Sequence, residues 1–209
     1  MNKKRILCYG DSNTWGCVPG TRFERFSEEI RFPKRLQKLL GTDFEIIEEG
    51  LYSRTLASEY DRPNKEGRNG STYFVPCLLS HDPLDLVIIM LGTTELKAEF
   101  NNSVEEIGRY LEDYYIRVIS KIKYLTRDES PELLIICPPI INESLTSKRY
   151  AGGEEKSKQL AGVYSKISNS NKCAFIDASK LMVGSDGVHM TEESHKKLAE
   201  MIAYEINKK

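Results

Sequence analysis

Short apolar runs alternate with longer stretches of helical period along the chain. Ile6 to Tyr9 is the first run and reads as a strand. Glu29 to Leu40 sets Ile30, Leu36, Leu39 and Leu40 on one side and stops at Gly41, which predicts a helix. Phe44 to Ile47 is a second strand. Leu84 to Leu91 is almost continuously apolar, as expected of a central parallel strand covered on both faces. Ser103 to Leu125 predicts the longest helix, with Ser103 as its N-cap and Glu105 and Glu106 in the first turn. Leu133 to Cys137 is a buried strand stopped by Pro138 and Pro139, Glu154 to Ile167 a helix, and Ala174 to Ile176 a short strand. Thr191 to Ile206 is a last amphipathic helix with Leu198, Met201, Ile202 and Ile206 inward.

Strands alternating with helices imply a parallel sheet covered by helices on both faces. Five strands suggest a flavodoxin-like three-layer α/β/α sandwich in the order 2-1-3-4-5. A chain of 209 residues suits one domain, residues 1–209, with a full core. The irregular segment from Glu49 to Ser71 is long for a compact domain, and loops of that length are more often functional than accidental.

Composition narrows the partners. Apolar residues make up 40% and charged residues 29%, the balance of an ordinary globular domain. Thirty basic residues stand against 31 acids, so no field points to nucleic acid or a membrane surface, and a small, roughly neutral partner is expected. Ile6 to Tyr9 is too short for a signal-peptide core, and no run approaches the ~20 apolar residues of a membrane span. Five scattered cysteines without CxxC spacing suggest reduced thiols and a cytoplasmic setting. No His/Cys/carboxylate set has ligand spacing, so no metal and no cofactor is expected.

Ligands of open α/β sheets bind outside the carboxyl ends of the strands. Gly10-Asp11-Ser12-Asn13-Thr14-Trp15-Gly16 follows the first strand, Gly50-Leu51-Tyr52-Ser53-Arg54 the second, and Gly92-Thr93-Thr94-Glu95 the third; Ser185-Asp186-Gly187-Val188-His189 lies past the fifth. A serine hydroxyl needs a base to take its proton, and that base needs an acceptor on its other ring nitrogen. Of three histidines, His81 precedes the third strand at the amino end of the sheet. His195 lies a turn inside the last helix, expected to face solvent, and His189 alone sits in a loop at the correct edge. The assignment is Ser12 nucleophile, His189 base and Asp186 orienter. Each block by itself is ordinary turn material; their joint arrival at one edge carries the argument.

At these residues the chain resembles the SGNH (GDSL-like) hydrolases, and within them the cytoplasmic arylesterase/acyltransferase branch. Gly10 to Gly16 is similar to that family's nucleophile block and Asp186-Gly187-Val188-His189 to its closing block, with further similar stretches at 44–51, 85–93 and 152–156. The resemblance implies an esterase or acyltransferase in which Ser12 attacks an ester carbonyl and passes the acyl group to water or an alcohol. It implies an oxyanion hole from the N–H groups of Ser12 and Ser53 and a side chain of the third block, and it implies a homo-oligomer. Ser53 stands where the family commonly has glycine, which leaves the backbone donor in place. Thr94 stands where the family has asparagine, and losing such a donor typically costs ~10²–10³ in kcat. Asp11, Trp15, Tyr52 and the loop around Tyr150 are expected to shape the substrate pocket.

Other readings remain open. A carbohydrate or metabolite deacetylase would use the same three residues. A non-catalytic flavodoxin-like module could offer Ser12 and Thr14 to a phosphate, although Asp11 would repel it and the P-loop lysine is missing. A degenerate family member could keep the pocket for binding alone, with Thr94 as the first sign of decay.

Overall fold

The computed structural model describes residues 3–122 and 129–208. Five parallel strands, β1 (Lys4–Gly10), β2 (Phe44–Gly50), β3 (Leu86–Met90), β4 (Glu132–Cys137) and β5 (Ala174–Asp177), form one sheet in the order β2-β1-β3-β4-β5. This is the order expected from the sequence. Alternate residues of each strand feed two cores. Leu7, Tyr9, Val87, Ile89 and Ile135 face one side, while Ile6, Cys8, Ile88, Met90 and Leu134 face the other. Both faces are buried, which is why β3 and β4 read as unbroken apolar runs.

One layer is made by α3 (Gly70–Ser80), α4 (Val104–Leu111) and α6 (Gly153–Ser170); Phe74, Ile107 and Leu160 pack with the first face. The other layer is α2 (Phe32–Leu40) and α7 (Glu192–Asn207), which bring Leu36, Leu198 and Ile202 to the second. Ser103 caps α4 in a complete capping box with Glu106, and Thr191 caps α7.

Several boundaries differ from expectation. The helix read from Glu29 begins only at Phe32, because Pro33 occupies its first turn, where a missing N–H is harmless; Leu39, placed inward from the sequence, is exposed. The helix read as Ser103 to Leu125 runs regularly to Leu111. It passes through a π-helical turn, Glu112–Ile116, into α5 (Arg117–Ile119), and its expected end lies partly outside the described residues. Helix α3 has no counterpart in the sequence reading. Its apolar residues lack a one-sided period and Pro76 lies inside it, so nothing marks a helix except tertiary packing.

Candidate active site

The nucleophile turn is set by close packing at two strand ends. Asp11 accepts the Asn13 N–H at 2.9 Å as N-cap of the single-turn α1 (Ser12–Trp15), which closes on Gly16 at φ 87°. A Cβ on Gly10 would lie 2.0 Å from Thr14 Oγ1, and one on Gly50 would lie 2.2 Å from the Trp15 nitrogen. Glycine at both positions lets the turn sit directly on the ends of β1 and β2.

Ser12 Oγ lies 2.9 Å from His189 Nε2, and His189 Nδ1 lies 2.6 Å from Asp186 Oδ2. The Asp186 carboxylate also accepts the N–H groups of Val188, His189 and Gly20 at 2.9–3.0 Å. In the neutral ring an ionised acceptor so held makes Nδ1 the donor and leaves Nε2 free to accept the serine proton. Asn13 ties the two loops together: its side chain accepts the Met190 N–H at 2.8 Å and donates to the Val188 carbonyl at 3.4 Å. Burial opposes charge on both partners, but the mutual hydrogen bond prevails. It holds Asp186 well below the usual carboxylate range and, with the Cys17 sulfur nearby, lifts His189 to about 9.

Ser53 is buried beside this relay with φ 63°, the left-handed conformation glycine adopts most freely. Its conformation explains why glycine suits the position; serine adopts it here against the Cβ penalty. The Ser53 carbonyl accepts from Tyr60 Oη at 3.4 Å and its hydroxyl from Lys65 Nζ at 2.9 Å. Arg54, also buried, donates to the carbonyls of Gly10 and Glu49, which pins the loop to the ends of β1 and β2. Thr94 is buried and starts a 3-10 turn, Thr94–Leu96.

A cavity of about 210 Å³ contains Ser12, Ser53, Thr94, Asp186 and His189 among its lining residues, together with Tyr52 and Tyr150. The four strand-end blocks singled out from the sequence therefore converge. A larger hollow, near Lys4, Phe44 and Glu205, holds none of them.

Two expected pocket residues lie elsewhere. Asp11 is buried at 1% exposure beneath the nucleophile turn, where its carboxyl serves as the helix cap and burial lifts it to about 6. Trp15 packs edge-on against Tyr52 with Arg25 over its ring, one layer behind the cavity. Tyr52 does line the cavity and stacks on the His189 ring at 6.1 Å.

The other histidines are partnered away from Ser12. His81 Nε2 lies 3.0 Å from Glu49, with Cys77 close by. These three could present ligand atoms within 4.8 Å of one another, a grouping hidden by their separation in sequence and distinct from the cavity. His195, expected to face solvent, is fully buried. Its Nδ1 accepts the Phe32 N–H at 3.3 Å, and Phe26 and Phe32 pack on its ring. It satisfies an orphan donor at the start of α2, which no helical period reveals.

Glu95 was not recognised as a site residue. Its fully buried carboxylate accepts the N–H groups of Leu56, Ala57 and Ser58 at 2.8–3.2 Å, fastening the Ser53 loop to the Thr94 turn. An acid directly after a strand-end Gly-Thr-Thr was the available signal.

Known proteins share the fold. The M. smegmatis aryl esterase, in its inhibitor-bound form, superposes with a TM-score of 0.89 at 37% identity over 98% of this chain and 99% of that one. A carbohydrate acetylesterase from Sinorhizobium meliloti gives 0.89 at 34% identity, over 98% and 99%. An acetylxylan esterase of Xylanibacter ruminicola is 24% identical over 97% of this chain, which spans only 43% of that protein's length. The model of the GDSL-like Lipase/Acylhydrolase family matches residues 8–197, and the chain belongs to that family.

Proposed function

We propose that the protein is a serine esterase that cleaves small carboxylic esters through an acyl-enzyme on Ser12. The carrying observation is the unbroken relay from Ser12 Oγ through His189 to Asp186, at 2.9 and 2.6 Å. His189 Nε2 takes the hydroxyl proton as Ser12 Oγ bonds to the ester carbonyl carbon, and the carbonyl π electrons move to its oxygen. The tetrahedral intermediate collapses, the alcohol oxygen leaves with the electron pair, and it takes the proton from Nε2. Water or an alcohol then attacks the acyl carbon by the same route and restores Ser12, so hydrolysis and acyl transfer differ only in the acceptor.

The oxyanion is received by the N–H groups of Ser12 and Ser53, neither of which donates a backbone hydrogen bond among the described residues, with the Thr94 hydroxyl as third donor. Tyr52 is a pocket wall; Asp11 and Trp15 support the nucleophile turn from behind. The volume of about 210 Å³ suits short acyl groups, and the similarity to an aryl esterase and to carbohydrate acetylesterases supports acetyl esters. No described helix is long and apolar enough to cross a membrane. A cytoplasmic homo-oligomer, expected from the family resemblance, belongs to the same reading.

Release of p-nitrophenol from p-nitrophenyl acetate tests it. Wild type is expected to turn over, and Ser12→Ala to lose ~10⁴-fold or more. Equal rates in the two proteins would overturn the assignment.

A further inference from the structure

The same cavity carries a second chemistry that the ester relay does not use. Lys65, Lys97 and Arg149 line it. The chain as a whole is neutral to within one charge, so this is a local concentration and not part of a basic surface. The long segment after β2 supplies Lys65, the turn after β3 supplies Lys97, and Arg149 lies in the 3-10 turn Lys148–Tyr150.

Both ammonium groups are held by neutral partners. Lys97 Nζ donates to Tyr60 Oη at 2.7 Å and lies 5.0 Å from the Tyr60 ring centre and 5.9 Å from that of Tyr150. Lys65 Nζ donates to Ser53 Oγ at 2.9 Å and lies 5.4 Å from the ring centres of Tyr52 and Tyr60. Ring faces and phenols fix a cation without neutralising it. Glu99, the acid acting on both, is engaged by Arg62 at 3.1 Å, and Asp186 is engaged by His189. Among the described residues none of the three cations has an ion-pair partner.

A solvated surface cluster would explain Arg149, which is exposed, but not Lys97, which retains only 6% exposure. Burial lowers Lys97 to about 8, so it stays mostly protonated at neutral pH, and an anion brought against it would offset that cost. Through Ser53 and Tyr60 the two lysines are also hydrogen-bonded to the loop proposed to receive the oxyanion.

We infer that the ester entering this cavity carries an anionic group, of carboxylate or phosphate type, held by Lys65, Lys97 and Arg149 while its carbonyl faces Ser12. The inference rests on the esterase reading and narrows its substrate class. The anion belongs either to the acyl group or to the alcohol, and the two require different probes.

The test compares kcat/KM for charged and neutral pairs, each divided by its hydroxide-catalysed rate: mono-p-nitrophenyl succinate against p-nitrophenyl pentanoate, and para-acetoxybenzoate against its methyl ester. In at least one pair the anion is expected to be favoured ~10-fold or more, as for a charge-assisted contact. That preference should shrink as salt is raised and in Lys65→Gln and Arg149→Gln, with Lys97→Met as the buried counterpart. Hydrolysis of the neutral esters with no preference for the anion in either pair overturns the inference and leaves the esterase reading standing. A preference that persists unchanged in all three variants also overturns it. Failure to hydrolyse any of the four esters while p-nitrophenyl acetate is still cleaved overturns the inference alone; failure on p-nitrophenyl acetate as well overturns both.

Discussion

At the scale of single residues, the proposed mechanism rests on three side chains and is tuned by Thr94. In that reading Ser12 Oγ is a nucleophile only while His189 is neutral. Burial lowers the imidazole, but the Asp186 hydrogen bond outweighs it and puts His189 at about 9. At neutral pH the ring is therefore mostly protonated and the base form is the minority species. The kcat/KM for a neutral ester is expected to rise with pH to a plateau above about 9. A profile already flat from pH 6 upward would contradict that electrostatic account. Thr94 is the second lever. It lines the cavity at the third-block position, and its hydroxyl sits on a shorter side chain than the family's asparagine. Thr94→Asn is expected to raise kcat for p-nitrophenyl acetate ~10-fold, part of the ~10²–10³ attributed to one such donor. No gain would mean that this donor does not limit the reaction.

The element scale shows why the triad was legible and its supports were not. Ser12, Asp186 and His189 are polar residues in loops after strands, and the strand pattern alone places such loops at one edge. The supporting residues carry no such mark. Glu95 and Arg54 work by receiving or donating to backbone groups of a loop whose path is set only in three dimensions. Asp11, expected at the pocket, turns its side chain inward to cap α1.

His195 is the clearest case, because its neighbours Glu192, Lys196 and Lys197 suggest a solvated face. In the fold it joins α7 to the first turn of α2 through the Phe32 N–H. Burial first, then the nearby Arg35, His189 and Arg31 charges, push it down to about 3. This has a measurable consequence. Above pH ~6.5 the ring is neutral in both folded and unfolded chains; below it the unfolded chain takes a proton that the folded chain refuses until about 3. Stability from this residue is therefore lost progressively as pH falls from 6.5 toward 3, by up to a few kcal/mol. The difference in Tm between wild type and His195→Gln should narrow with acid over that window. A constant difference would show that the ring is not held neutral.

At the scale of the whole molecule, the fold delivers loops from all five strands to the rim of the candidate site. Strand order and layering were readable because both derive from hydrophobic patterning: β3 and β4 are covered on two faces and so are apolar throughout. The missed α3 has the opposite origin. It is held by Phe74, Cys77 and Leu78 against the sheet and despite Pro76, so packing overrides local preference. The cation cluster was invisible for a related reason. Lys65, Lys97 and Arg149 come from three separate segments, and a net charge of −1 hides a local excess.

Catalysis by the proposed route requires a covalent acyl group on Ser12. Intact-mass measurement within seconds of mixing with p-nitrophenyl acetate, at a pH where deacylation is slow, reads this out. One acetyl addition is expected, located to the peptide containing Ser12 and absent from Ser12→Ala. Ester turnover with no adduct on that peptide, or an adduct that survives Ser12→Ala, would contradict it.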